Sequence, residues 1–260
     1  MKSARDATRR NRNIGTAKRG HGQNNKLVIP TRYYPDLTVY FENLRNYKSV
    51  ARDFDGHPIT FLVEETRPGS YHACTVDDIT HILHFVPASD LIGIKLIVLR
   101  QPKRKEEILD CAWGRWAPHV VIDDYRGSAI FLEAADIAKP MRWEKSLAPD
   151  RQSELERLQG DGHSITATKR HHVITLSLDS IRSTQLYRTL LHEIGHNVDY
   201  TRNSDEFDRK PSSEKESFAH KYADRLRAEL EKRKVIPFER ILSARRLEQD
   251  KLRLSDFEAI

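Results

Sequence analysis

The chain has 260 residues, 38% of them apolar and 32% charged, with a formal net charge of +6. That length can bury a substantial core in one large domain or two modest ones, and the composition suits a soluble globular protein with some disordered sequence. The longest apolar run, 91–99, contains Lys95 and falls well short of the ~18 residues a spanning helix needs, which excludes a membrane protein.

Residues 1–26 carry eight Lys/Arg against the single acid Asp6, a net of +7, so the other 234 residues sum to −1. This segment has neither an apolar h-region nor an amphipathic stripe, which argues against a secretory or mitochondrial leader. It reads as a disordered basic arm, and its charge raises a nucleic acid or an acidic partner as what it would contact. Cys74 and Cys111 are the only cysteines and make no CxxC pair. A disulfide framework and a thiolate zinc site are therefore unsupported, and a reducing cytoplasm is the expected compartment.

Order is expected from about Leu27, with short strands and turns over 25–30 and 35–47. A strand over 57–65 lies between an Asp55-Gly56 turn and a Pro68-Gly69 turn. Thr75 and Asp78 form a capping-box pattern that opens a helix ended by Pro87. Strands follow over 91–101, around Trp113 to Ile122, and over 128–136. Residues 139–163 are polar, contain one short helical run (153–159), and read as a seam between halves. Over 171–179 apolar and polar residues alternate, the mark of a half-exposed strand. Ser183 or Thr184 is the expected N-cap of the next helix, whose apolar Tyr187, Leu190, Leu191, Ile194 and Val198 fall at helical spacing. A polar loop (201–212), a second amphipathic helix (214–234) and a charged C-terminal helix (about 238–257) complete the expected order.

Within the first of those helices stands His192-Glu193-x-x-His196. Residues four apart share a helix face, so the two imidazoles project together and suit adjacent corners of a tetrahedral zinc ion (Zn2+). Glu193 is rotated about 100° from His192 and lies beside the metal rather than on it, as in the HExxH arrangement of zinc metallopeptidases. Gly195 puts a small residue between the ligands, at a cost of about 1 kcal/mol in helix propensity relative to Ala. Catalytic zinc takes a third protein ligand. The position six after His196 is Arg202, which rules out the metzincin pattern. Glu216 is the leading candidate, on a second helix that small Ala219 and Ala223 would let approach closely. It also fits the N3 position of a capping box opened by Ser213. Glu214 and His220 are the next candidates. Asp199, three residues after His196, suits either a hydrogen bond to a ligand imidazole or helix-end solvation. His163, His171, His172 and Tyr200 are read as surface residues, His81 and His84 as structural, and Trp113 and Trp116 as core or sheet-face residues.

With Glu216-x-x-Ala219-x-x-Tyr222-Ala223 after HExxH, residues 170–230 resemble the gluzincin branch of zinc metallopeptidases, and within it the IrrE/ImmA-like group. The resemblance implies an α+β fold with a zincin-like core, in which an active-site helix and a glutamate-bearing helix pack on a small sheet whose edge binds an extended peptide. It implies zinc held by His192, His196 and Glu216, with Glu193 as general base. The chain departs from regulatory members of that group in lacking a helix-turn-helix pattern. The expected organisation is a basic arm (1–26), an α/β N-terminal half (27–145), the zincin-like core (146–235) and a C-terminal helix (236–260). The expected activity is zinc-dependent endoproteolysis of a protein or peptide substrate, with the 171–179 strand holding the substrate backbone and no membrane involved. The alternative is a nucleic-acid-binding or interaction protein with a basic arm and a structural or vestigial metal site.

Overall fold

The computed structural model describes residues 40–109 and 112–258; the basic arm and the elements expected over 25–39 lie outside them. Among the described residues the strands are β1 (Tyr47–Phe54), β2 (His57–Glu64), β3 (Ser70–Tyr71), β4 (Ile94–Arg100), β5 (Gly114–Ile122), β6 (Tyr125–Glu133), β7 (Ala135–Asp136), β8 (Met141–Glu144), β9 (Ser164–Ala167) and β10 (His171–Thr175). The helices are α1 (Val76–Leu83), α2 (Ala88–Leu91), α3 (Arg104–Leu109), α4 (Pro149–Gly160), α5 (Leu178–Thr184), α6 (Leu190–Arg202), α7 (Ser204–Arg209), α8 (Ser212–Lys232) and α9 (Ala244–Gln249). The fold is α+β, built around a five-stranded mixed sheet in the order β1-β2-β4-β6-β5. The inner pairs β2–β4 and β4–β6 are parallel and the outer pairs antiparallel.

The near-continuous apolar runs of β2, β4 and β6 follow from burial on both faces, as parallel strands require. Ile59, Phe61, Val63, Ile97, Leu99, Ile130 and Leu132 face the helices, where they meet α1, α6, α8 and the C-terminal segment. Leu62, Leu96, Val98, Ala129 and Phe131 form a second cluster on the opposite face, with Phe41 and Tyr47 against it. A third, smaller cluster packs Leu155 and Leu158 of α4 on the three-stranded sheet β8-β10-β9. This separate cluster lies in the region read as a seam, which is occupied by β8 and α4. Leu190 and Ile194 of α6 and Leu226 of α8 share one apolar cluster with β2 and β4.

Several expected elements take a different form. Tyr40–Glu42 is a single 3-10 turn rather than strand. The Ser177 side chain accepts from the backbone N–H of Ser180, so the chain turns into helix at Leu178 and β10 ends at Thr175. Neither Ser183 nor Thr184 is a cap: α5 runs through a π-helical turn (Gln185–Thr189) directly into α6. The polar loop contains α7, capped by Asn203. The single C-terminal helix expected over 238–257 is replaced by extended chain, α9 and a 3-10 turn. Over 238–241 the backbone N–H groups go to tertiary partners, Phe238 donating to Tyr187 Oη and Ile241 to Asp78 Oδ1. Beyond α9, Lys251 takes a positive φ of 57° and the Leu252 N–H returns to the Leu247 carbonyl, which ends the helix.

Candidate metal centre

The site forms where α6 crosses α8 beside the edge strand β5. Gln185, in the π turn that leads into α6, donates to the carbonyls of Trp113 and Glu133 at 3.0 and 2.8 Å, anchoring the helix start to β5 and β6. At Gly114 an added Cβ would lie 2.6 Å from the Phe131 carbonyl and 2.8 Å from Thr189 Cγ2, so glycine lets strand and helix approach closely. Further along α6, the fully buried Asn197 donates to the Ile92 and Asp90 carbonyls and accepts from Ser128 Oγ. Ser128 in turn accepts from Trp116 Nε1 at 2.8 Å. The Tyr222 hydroxyl of α8 donates to Asp90 Oδ2 at 2.8 Å, so both helices are tied to the α2 segment.

Gly195 sets the separation of the two helices. A Cβ there would sit 2.9 Å from Ala219 Cα and 3.2 Å from Tyr222 Cβ. This close approach brings Glu216 over the two histidines: His192 Nε2 and His196 Nε2 are 3.0 Å apart, and Glu216 oxygens lie 3.2 Å from the first and 3.5 Å from the second. Zinc bonds of ~2.0–2.1 Å in a tetrahedron place donors about 3.3 Å apart; the imidazole pair matches that spacing, and Glu216 faces it with one oxygen toward each ring, Oε2 to His192 and Oε1 to His196. Two imidazoles and a carboxylate are also a catalytic-type donor set. The histidine side chains are 13% and 12% exposed and that of Glu216 54%, which leaves the donor triangle covered on the α6 side and reachable from the α8 side. His192 Nδ1 is buried with no hydrogen-bond partner among the described residues, where packing orients that ring.

Glu193 is buried on the β5 side of α6. Burial pushes its carboxyl above the usual carboxylate range; His192, His196 and the Trp116 backbone N–H pull it back, and Glu216 adds to the rise. Hydrogen bonds with His192 and then His196 hold the Glu216 carboxyl well below that range. Burial lowers His220, whose ring centroid lies 4.4 Å from that of His192.

Glu216 is not a capping residue: α8 begins at Ser212 with Pro211 at the N-cap position and no side-chain cap, which leaves Ser213 inside the helix. Asp199 does not reach a ligand imidazole, since Oδ1 takes Lys210 at 2.8 Å and Oδ2 has no partner among the described residues. β10 cannot add a substrate strand, because β8 and β9 flank it on both sides. His163 is buried against Thr184 rather than at the surface. His171 and His172 lie on β10, whereas Tyr200 lies on α6 with its hydroxyl 3.0 Å from His119 Nε2.

Sequence reasoning placed Trp116 in a sheet but missed its place at the site, where its ring stacks 6.2 Å from that of His196. It did not single out His119 of β5, which pairs with Tyr200. A usable signal existed in Pro118: proline inside a strand marks an edge. Among the described residues β5 is that edge, with a bulge between Ala117 and Val120. No family model matches the chain, and comparison with curated proteins and with solved structures finds no match either.

Proposed function

We propose that the chain is a zinc-dependent endopeptidase of the gluzincin type, with a zincin-like core, that hydrolyses a peptide bond in a protein substrate in the cytoplasm. The observation that supports this reading most is the triangle of His192, His196 and Glu216 donors, 3.0 to 3.5 Å on a side, with the Glu193 carboxylate on the adjoining face of the same helix. Those three residues would hold the metal. When bound, zinc supplies Lewis-acid polarisation of water and of the scissile carbonyl.

The chain's own groups do the rest. Glu193 takes a proton from the attacking water and delivers it to the leaving amine nitrogen. Its burial keeps bulk water from competing for that proton, and the Trp116 N–H aims the carboxylate. β5, with no partner strand on its outer side among the described residues, offers backbone groups to an extended peptide running past α6. The sheet of this core is therefore the five-stranded one rather than the strands around 171–179. Glu193→Gln tests the mechanism: the variant should bind zinc as the parent does and lose peptide hydrolysis by at least about 100-fold, the lower end of what a general base contributes. Full turnover in that variant would overturn the role of Glu193.

A further inference from the structure

The Gly195–Ala219 contact lies between two pairs of donors that face each other. His192 and His196 stand one turn apart on α6 and flank Gly195; Glu216 and His220 stand one turn apart on α8 and flank Ala219. Closing the helices on that point brings His220 to the same side as His192 and Glu216. The ring nitrogen of His220 falls within 4.8 Å of the nearest donors of His192 and Glu216. The His192 and His220 rings are 4.4 Å apart and tilted by 51°. A shared tetrahedral ion would place the fourth donor about 3.3 Å from the others. Side-chain rotation of His220 can close that gap, since the residue is exposed and makes no hydrogen bond of its own among the described residues.

We propose that His220 is a fourth, displaceable protein ligand to the metal held by His192, His196 and Glu216, so that the resting site is closed and opens when substrate takes His220's place. This rests on the zinc reading above. The physical reason is coordination number: a zinc with four protein donors has no open corner, as in structural sites, and one with three does, as in catalytic sites. The two states differ here by the position of one exposed side chain. With zinc bound, the exchange would trade one coordination bond for another, the His220 imidazole giving way to a substrate oxygen while His192, His196 and Glu216 stay in place.

X-ray absorption on the zinc-loaded full chain counts the imidazoles directly, and a chelator competition measures affinity alongside. The wild-type protein should show three imidazoles and His220→Ala two. The variant should bind zinc about tenfold more weakly or worse, since even groups one step removed from a metal cost that much. Two imidazoles in both proteins with equal affinity would overturn this proposal and leave the three-ligand site standing. Failure of the wild-type chain to bind zinc at all would overturn both.

Discussion

The two helices that carry the candidate ligands are built differently. α6 is embedded: Leu190, Leu191 and Ile194 are fully buried, and Gln185 and Asn197 fix its start and middle by hydrogen bonds to backbone carbonyls of other elements. α8 is longer yet commits only one face, through Ala219, Tyr222, Ala223, Leu226 and Leu230, and leaves Glu216 and His220 toward solvent. A rigid helix supplies the two imidazoles and the base, while a half-exposed helix supplies ligands whose position depends on how closely it docks. The geometry of the whole centre therefore rests on one contact, Gly195 against Ala219.

Breaking that contact should have the largest effect. Gly195→Ala places a methyl 2.9 Å from a backbone atom of α8, which cannot rotate away. Overpacking of this kind costs about 1–3 kcal/mol, against a gain of about 1 kcal/mol in helix propensity. The expected outcome is a modestly lower unfolding temperature and zinc affinity reduced at least about tenfold, because Glu216 moves with α8. Gly160→Ala is the matched control: nothing lies within 4 Å of the added methyl, and stability should hold or rise slightly.

Asn197→Ala sharpens the contrast from the α6 side. It strands the Asp90 and Ile92 carbonyls and should lower stability by about 2 kcal/mol in chemical denaturation. Zinc affinity should fall less than in Gly195→Ala, because α6 keeps its other anchors, the Gln185 hydrogen bonds and the buried Leu190, Leu191 and Ile194. The smallest effect lies off both helices, at His72. That ring is fully buried and bonds the Glu64 carbonyl at 2.7 Å; burial lowers its pKa, opposed by Glu64 and Asp256. The unfolded chain then takes up the proton more readily, so His72 leaves stability intact above the ordinary histidine pKa of about 6.5 and erodes it as pH falls below. In His72→Gln the decline in unfolding temperature between about pH 6.5 and 5 should be shallower.

How much was legible varies with the origin of each signal. Local signals carried: the Thr75–Asp78 capping box forms both of its hydrogen bonds, and the Asp55-Gly56 turn joins β1 to β2 with both residues at positive φ. The near-continuous apolar runs of β4 and β6 announced strands, and the i,i+4 spacing of His192 and His196 brings their Nε2 atoms to 3.0 Å. Non-local choices did not carry. The alternation over 171–179 reports one buried position, Ile174, and says nothing about whether the strand lies at an edge. That β5 flanks α6, and that α6 packs on a sheet drawn from residues far upstream, depends on Gly114 and Gln185, whose partners are distant in sequence. The C-terminal segment looked helical by composition, but Asp78 and Tyr187 claim its backbone donors.

Zinc content of the purified full-length chain, measured beside its Glu216→Ala variant, tests the central claim most directly. The account predicts one zinc per wild-type chain and a clearly smaller content in the variant under the same dialysis, since the carboxylate that bridges the two α6 imidazoles is gone. Equal zinc in both proteins would place the third ligand elsewhere, and none in either would contradict the site itself.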